Sequence, residues 1–207
     1  MYLNDKKTDK YLYYWLVTMF ILVSSIIIVG GLTRLTDSGL SITEWELFAG
    51  FIPPLSNLDW ENYFSLYKQI PEYKLQNFNM SLEEFKIIFW WEWAHRFLGR
   101  IIGLFFLIPM VYFAIKKGFS KTKSLFFIFF LICFQGFLGW FMVSSGLVNR
   151  VDVSHFRLSL HLVTAFIILS LILWQILNYK YKFEIIENSI KYKLPSIFIF
   201  IVFLQII

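Results

Sequence analysis

The chain has 207 residues, of which 58% are hydrophobic, 21% aromatic and only 16% charged. A soluble domain needs more surface charge than this, and a disordered chain carries far fewer apolar residues, so both classes are excluded. The formal net charge of the chain is +5, and its lysines lie in short clusters between apolar runs. Lysines at such places set membrane topology and do not indicate a nucleic-acid-binding surface. The composition therefore indicates an integral membrane protein, with lipid and no nucleic acid among its partners.

Apolar runs long enough to cross a bilayer occur four times along the chain. They predict an all-α integral membrane fold, a four-helix transmembrane bundle with spans near 12–33, 87–115, 124–143 and 157–178. These spans and the long outer loop at 34–84 form an N-terminal half at 1–178, followed by a cytoplasmic linker at 179–193.

A fifth apolar helix is predicted to begin at 194 and is cut short at 207. At about 1.5 Å per residue it cannot cross a hydrocarbon core roughly 30 Å thick. The chain is then either a fragment of a longer protein, which we favour, or one whose last segment inserts halfway against a partner.

The loops predict the orientation of the spans. The loops after spans 2 and 4 are rich in lysine, namely Lys116, Lys117, Lys121 and Lys123 in the first and Lys180, Lys182, Lys191 and Lys193 in the second. Basic residues in short loops stay on the cytoplasmic side, so we expect a cytoplasmic N-terminus and an outer location for the acidic loop at 34–84. The N-terminus fits neither a signal peptide nor a transit peptide, which favours a bacterial inner membrane.

The outer loop is predicted to contain an amphipathic helix at 59–69. Four aromatic residues share one side of it, namely Trp60, Tyr63, Phe64 and Tyr67. Two interpretations remain open: the helix is a lid over the membrane surface, or an interfacial segment that its aromatic residues anchor.

Ionisable residues inside spans are costly, and here they cluster at the outer ends of spans 2 and 4. In span 2, Glu92, His95, Arg96, Gly99 and Gly103 share one helical stripe; span 4 contributes His155, Arg157 and His161. His95 and His161 are each predicted roughly 10 Å below the outer surface, on helices that run in the same direction. The two histidines could therefore face each other across a bundle.

Such a pair suits haem iron between two imidazoles better than zinc or a di-iron site, because no cysteine or second carboxylate lies near it. The one cysteine, Cys133, lies within an apolar run. Gly99 and Gly103 would provide a flat slot for a porphyrin. The porphyrin propionates also need cations, and four arginines lie near the outer boundary, namely Arg34, Arg96, Arg100 and Arg157.

Each of these residues also has an ordinary interpretation. A histidine near a helix end is more often an interfacial residue than a ligand, and a boundary arginine usually extends towards water. We favour that interpretation for His155. For His95 and His161, at matched depth, we favour a function; Glu92, one turn above His95, could instead merely pair with Arg96.

Several strings of the sequence, in the same order, closely resemble haem A synthases of the alphaproteobacterial and mitochondrial subgroup. They are GGLTRLT at 30–36, SGLS at 38–41, EW at 44–45, GFIPPL at 50–55, FWWEWAHR at 89–96, QGFLGW at 135–140 and HFRLSLHL at 155–162. The resemblance covers roughly residues 12–178.

This resemblance implies a membrane oxidoreductase that converts the ring methyl of haem O to the formyl group of haem A for cytochrome c oxidase. By comparison with the family, His95 and His161 match the axial pair that holds the substrate haem, and Glu92 matches a carboxylate implicated in catalysis. Haem O synthase and assembly factors of cytochrome c oxidase are the implied partners.

The chain departs from the family pattern in one large respect. The family's second half, with a histidine pair expected to bind haem B, is absent beyond the start of the fifth span. We therefore expect this chain alone to hold at most one haem and to be inactive, unless two copies form a homo-oligomer that imitates the missing half. The loop cysteine pair of another subgroup is also missing.

Two other functions compete with the enzyme. A haem-carrying electron-transfer subunit of the cytochrome b kind would use the same histidine pair, but it would not need Glu92. A transporter or assembly subunit without haem would be colourless when purified.

Overall fold

A computed structural model describes residues 2–46, 48–149 and 151–181, and these residues contain helices and no strand. The elements are α1 (Tyr2–Leu35), a 3-10 helix (Ala49–Phe51), α2 (Asn57–Tyr67), α3 (Pro71–Leu75), α4 (Leu82–Lys117), α5 (Phe119–Asn149) and α6 (His155–Tyr181). Most of the predicted linker at 179–193 and all of the predicted fifth helix lie outside the described residues.

Four of these helices are long and apolar enough to cross a membrane, which confirms the predicted all-α membrane fold. The stretches are Thr8–Leu35, Leu82–Lys117, Phe119–Val148 and His155–Tyr179. They are longer than the predicted spans because polar turns continue the helices beyond the apolar runs. At the start of α4, for example, Ser81 Oγ accepts a hydrogen bond from Glu84 N, and Glu84 Oε2 accepts one from Ser81 N. This capping box starts the helix five residues before the predicted boundary at 87.

The four long helices form a square bundle. Helix α1 packs against α4 and α6, and α5 also packs against α4 and α6, so α4 and α6 lie on a diagonal. Fully buried side chains from all four helices form the apolar centre, among them Leu16, Met19, Phe106, Ile128 and Ile172. In an up-and-down bundle the diagonal helices α4 and α6 run in the same direction.

A proline inside α4 is compensated by a side chain of α1. Pro109 lacks the N–H that would bond to the carbonyl of Phe105, one turn earlier. The indole Nε1 of Trp15 donates a hydrogen bond to this Phe105 carbonyl at 3.0 Å. A neighbouring helix thus satisfies the backbone group that the proline leaves unpaired.

The segment between α1 and α4, which we call the outer layer, covers one end of the bundle. Its described residues are 36–46 and 48–81, and it includes the 3-10 helix, α2 and α3. With 36 residues, α4 is about 54 Å long, which exceeds the roughly 30 Å hydrocarbon core. Its outer turns bury Trp60, Phe64 and Tyr67 of α2 against Phe85 and Phe89. The aromatic side of the predicted amphipathic helix therefore packs on protein, which favours a covering layer over a helix held by lipid alone.

Candidate functional site

The two predicted ligand histidines lie on the diagonal helices of the bundle. His95 is on α4 and His161 on α6, the two helices that lie diagonally across the bundle. Both rings are partly buried, and the Nδ1 atom of each is fully buried. The two histidines thus lie on diagonal helices of one bundle, and their pairing stays a prediction.

Each histidine ring lies against a glycine of a neighbouring helix. A Cβ atom added to Gly30 of α1 would come within 2.9 Å of His95 Cε1, and one added to Gly139 of α5 would come within 3.3 Å of His161 Cε1. The missing side chains therefore let both rings approach the adjacent helix closely. Sequence reasoning did not identify either glycine in this role.

Both buried Nδ1 atoms lack a hydrogen-bond partner among the residues that the structure describes. A buried polar atom without a partner is rare in proteins and requires an explanation. Imidazole is a common axial ligand of haem iron, and two imidazoles on diagonal helices, each against a glycine, fit the donor set that a bis-histidine haem needs. Across the described residues, no three His, Cys, Asp or Glu side chains group together to hold a different metal ion.

The predicted porphyrin slot beside Gly99 and Gly103 is only partly filled by side chains. A Cβ on Gly99 would lie 3.6 Å from Ile26 Cδ1, and one on Gly103 would meet nothing within 4 Å. The slot therefore stays a prediction, whereas the glycines in contact with the two rings are Gly30 and Gly139.

Glu92 is 3% exposed, and its two carboxylate oxygens accept hydrogen bonds from three donors. Oε1 accepts from Arg96 Nη2 at 2.6 Å. Oε2 accepts from Ser41 Oγ at 2.7 Å and from Ile42 N at 2.8 Å. The ordinary interpretation of Glu92, a pair with Arg96 one turn later, is therefore present, and the outer layer adds two further donors.

Arg96 also binds the outer layer. Its Nη2 donates to the carbonyl of Ile42 at 2.8 Å, its Nη1 donates to the carbonyl of Glu44 at 3.2 Å, and the guanidinium lies over the ring of Trp45. Glu92 and Arg96 together form a clamp that holds residues 41–45 on the outer end of α4. This clamp fixes the orientation of the carboxylate one turn above His95.

Arg100 lies deeper in α4 and binds the outer layer too. Its Nη2 donates to the carbonyl of Glu46 at 2.7 Å, and the guanidinium lies over the ring of Phe51. A small pocket separates the outer layer from α4 here, lined by Ile42, Glu44, Glu46, Gly50, Ile52, Tyr63, Phe89, Trp93, Arg96 and Arg100.

The two remaining predicted arginines lie at the ends of α1 and α6. Arg34 is 3.5 Å from Asp37 Oδ1 and 4.0 Å from Asp152 Oδ2, and Arg157 donates to Ser145 Oγ. All four arginines thus have protein partners, and propionate binding stays a prediction that requires some of these partners to be exchanged.

His155 lies apart from the histidine pair. Its side chain is 74% exposed, and its Nε2 is 3.9 Å from Asp152 Oδ2. This position agrees with the ordinary interpretation that we favoured for it.

A buried polar network in the outer layer was not predicted from the sequence. Tyr67 donates to Glu72 Oε1 at 3.0 Å, and Asn77 Nδ2 donates to the Tyr67 hydroxyl at 2.8 Å. Burial raises the pKa of Glu72 to about 7, although the hydrogen bond from Tyr67 opposes this rise. The nearby carboxylates of Glu92, Asp37 and Asp152 raise the pKa further.

The sequence of the chain is similar to those of known proteins. Residues 13–207 match the family described as COX15-CtaA, cytochrome oxidase assembly protein. The chain is 53% identical over 201 residues to a heme A synthase of Pelagibacter ubique, and 54% identical over 162 residues to one of Maricaulis maris. A heme A synthase of Flavobacterium johnsoniae is 44% identical over 208 residues. No solved structure matches the chain.

The matches cover most of this chain but only part of its relatives. They span 96% of the chain and 58% of the Pelagibacter ubique protein, 77% and 48% for the Maricaulis maris protein, and 96% and 61% for the Flavobacterium johnsoniae protein. The chain thus spans about half the length of the curated relatives that it matches.

Proposed function

Because this chain belongs to the COX15-CtaA family of cytochrome oxidase assembly proteins, we propose that it carries the substrate-binding half of a haem A synthase. The reaction converts the ring methyl of haem O to the formyl group of haem A. This conversion removes four electrons from the methyl carbon and adds one oxygen atom, so it also requires an electron acceptor and an oxygen source. The relatives named heme A synthase support the assignment.

The observation that carries the proposal is the pair of histidines with unpaired nitrogens. His95 and His161 lie on diagonal helices, and each ring lies against a glycine. Iron bound between the two rings would take one nitrogen of each imidazole and leave the proton on the other, which is a reason for each buried ring to keep an Nδ1 without a partner in the described residues. Iron ligation by both rings would hold the porphyrin in one orientation relative to α4.

Glu92 is the proposed catalytic residue. Oxidation of the methyl carbon develops positive charge next to the macrocycle, and a carboxylate fixed in apolar surroundings stabilises such charge and can accept the released proton. Ser41, Ile42 and Arg96 hold this carboxylate in one orientation. A charge that is already oriented needs no rearrangement at the moment of reaction.

The arginines near the outer boundary are the proposed propionate partners. Arg34, at the end of α1, pairs with Asp37, and Arg157, at the start of α6, donates to Ser145 of α5. Arg96 and Arg100 instead bind carbonyls of the outer layer. If Arg34 and Arg157 exchanged these partners for propionates, the clamp formed by Glu92 and Arg96 would stay intact. We therefore assign propionate binding first to Arg34 and Arg157.

Haem B belongs to the proposal as a second, cofactor haem. The chain has three histidines, and the third, His155, is exposed. A second histidine pair would therefore come from residues outside this sequence or from a second copy of the chain.

The proposed location is the bacterial inner membrane, with a cytoplasmic N-terminus. The lysine clusters near the predicted inner ends support this orientation, and at that end Lys117 of α4 pairs with Asp9 of α1. Reporter fusions at the two ends of α4 would test it: an outward-facing Lys117 would contradict the proposed topology.

Pigment analysis tests the proposed activity. The protein, together with whatever supplies its second histidine pair, is expressed in cells that make haem O, and the extracted haems are identified by mass. Haem A above the level of a strain without the protein supports the enzyme. Bound but chemically unchanged haem would contradict it.

One observation favours a second candidate, a haem-carrying electron-transfer subunit. The hydrogen bonds of Glu92 are all explained by the clamp with the outer layer, so the structure gives this carboxylate a role that does not involve chemistry. Under this alternative the protein would bind haem reversibly in redox titrations without forming haem A.

A further inference from the structure

Gln135 is a polar side chain of α5 that reaches α6 at the level of His161. Its Nε2 donates a hydrogen bond to the backbone carbonyl of His161 at 2.9 Å. Only the NH₂ group of an amide can donate to a carbonyl, so this contact also fixes which end of the side chain is the oxygen.

The other end of the same amide is buried without a partner. Gln135 Oε1, an acceptor, has no hydrogen bond among the residues that the structure describes, and neither has His161 Nδ1. An acceptor and a possible donor are thus both unsatisfied at one contact between two helices. Each is costly to leave unpaired in apolar surroundings.

Gly139 places the histidine ring and the amide on the same face of α5. It follows Gln135 by four residues, which is one helical turn. A Cβ on Gly139 would lie 3.3 Å from His161 Cε1 and 3.9 Å from Nδ1. The ring edge that carries Nδ1 therefore lies against the face of α5 from which Gln135 extends.

We propose that Gln135 is the positioning residue of His161: its Oε1 accepts a hydrogen bond from Nδ1–H when Nε2 ligates haem iron. A neutral imidazole that binds metal through one nitrogen carries its proton on the other, and this N–H almost always finds an acceptor. The amide would then bind His161 at both backbone and ring. This inference rests on the proposed haem ligation by His161.

The acceptor also sets the electron density on the ring. A stronger hydrogen bond from Nδ1–H makes the imidazole more basic and stabilises ferric iron, which lowers the haem midpoint potential. His95 offers a contrast, because the polar group identified next to its ring is the backbone of Ile26, which a substitution cannot remove. The effect of side-chain exchange should therefore be specific to Gln135.

The test uses Gln135→Met, which removes the acceptor, and Gln135→Glu, which makes it anionic, with haem B as the probe. We expect Gln135→Met to raise the midpoint potential and to speed haem transfer to apomyoglobin by about 10- to 100-fold. Gln135→Glu should lower the potential. Shifts of opposite sign would not follow from a purely structural role, and either variant alone gives a direction if the other does not accumulate.

Two further variants separate the possible failures. Thr122→Val alters another buried polar residue of α5, whose hydroxyl donates to the carbonyls of Gly118 and Phe119 at the start of that helix, and it should leave the spectrum, the potential and the transfer rate unchanged. His161→Ala tests the ligand itself. If His161→Ala alters the spectrum and both Gln135 variants leave the potential and transfer rate unchanged, the role of Gln135 is wrong. If His161→Ala leaves the spectrum unchanged, the ligation on which it rests is wrong.

Discussion

Two polar side chains on adjacent turns at the outer end of α4 differ in the hydrogen-bond partners that the protein gives them. The carboxylate of Glu92 is bound by three protein donors, whereas His95, three residues later, has a buried Nδ1 without a partner in the described structure. A polar group with protein partners is explained by the fold that it stabilises. A buried polar group without one calls for a bound ligand or for a nearby side chain that can move into hydrogen-bond distance.

This difference separates residues that bind the outer layer from residues that we propose to bind haem. The hydrogen bonds from Ser41, Ile42 and Arg96 explain the burial of Glu92 without any reference to chemistry. No protein partner in the described residues accounts for the Nδ1 atoms of His95 and His161. Haem ligation by His95 and His161 therefore stays a proposal that spectra can test, and the proposed catalytic role of Glu92 depends on kinetic tests.

Removal of either histidine should have the largest effect. His95→Ala and His161→Ala each delete one axial ligand, so we expect loss of the low-spin haem spectrum in absorption and electron paramagnetic resonance. His155→Ala is the control, because that side chain is exposed, and it should leave the spectrum intact. Unchanged low-spin spectra in both single variants would show that other residues ligate the iron.

Replacement of Glu92 should separate binding from turnover. Glu92→Gln keeps the shape of the side chain and removes its charge, so haem O should still bind while formation of the alcohol intermediate and haem A falls by roughly 10²- to 10³-fold. Glu83→Gln, on the exposed first turn of the same helix, is the matched control. Retention of most of the turnover by Glu92→Gln would leave Glu92 with a clamp role only.

Ser41→Ala distinguishes the clamp from the charge. It removes one donor to Glu92 and keeps the carboxylate, and a hydrogen bond to a charged group contributes about 1.5–3 kcal/mol. We expect a smaller loss of turnover than for Glu92→Gln, measured in the same assay. Equal losses in the two variants would mean that the position of the outer layer, and not the carboxylate charge, limits the reaction.

Alanine at the glycines beside the rings should weaken haem binding by about tenfold, since overpacking costs about 1–3 kcal/mol. Gly30→Ala should have the larger effect, because its Cβ would come within 2.9 Å of His95 Cε1. Gly31→Ala is the matched control, since nothing lies within 4 Å of a Cβ there. Haem titration measures the haem affinity of both variants. Equal affinities would refute the proposed role of Gly30 in making room for the His95 ring.

The same comparison is available on α5. Gly139→Ala would place a Cβ 3.3 Å from His161 Cε1, whereas Gly136→Ala meets nothing within 4 Å. Because 3.3 Å is a milder contact than 2.9 Å, the expected loss of affinity is smaller than for Gly30→Ala. A larger loss at Gly139 would indicate that His161 is the more constrained ligand.

The smallest expected effect concerns pH and the outer layer. Burial raises the pKa of Glu72 from 4.5 to about 7, so between these values the folded state binds more protons than the unfolded state. The stability of the outer layer should therefore fall as pH rises through this window and level off above it. Between pH 6 and pH 8 we expect local opening to increase by less than about tenfold.

Hydrogen exchange of α2 and α3, corrected for the intrinsic pH dependence of exchange, measures this opening. Glu72→Gln cannot ionise and should abolish the dependence, whereas Glu61→Gln, on the exposed side of α2, should retain it. If the pH dependence of hydrogen exchange persisted in Glu72→Gln, it would have to arise from another group.

The sequence predicted the fold well because a long apolar helix has few alternatives in lipid. The predicted spans follow the apolar runs, and the Ser81 capping box starts helix α4 before its apolar run. Helical spacing also predicted that Glu92 and His95 share a face of α4.

The sequence could not identify contacts that depend on which helices become neighbours. The strings that resemble haem A synthases contain four such residues, namely Gly30, Gly139, Ser41 and Gln135. The resemblance marked these residues, but it did not show which groups they contact. Their roles follow from the packing of α1 on α4, of α5 on α6 and of the outer layer on α4. The arginines illustrate the same limit, because their charge was evident from the sequence and their partners were not.

The bond between Trp15 and the carbonyl freed by Pro109 has a consequence for how the protein assembles. In the two-stage view, membrane helices insert singly and associate afterwards. An inserted α4 alone would leave the Phe105 carbonyl unpaired in hydrocarbon, at a cost of several kcal/mol. Docking of α1 with Trp15 at that depth removes this cost, so the proline favours one partner, one face and one vertical register during assembly. The same register brings Gly30 opposite His95 before any haem arrives.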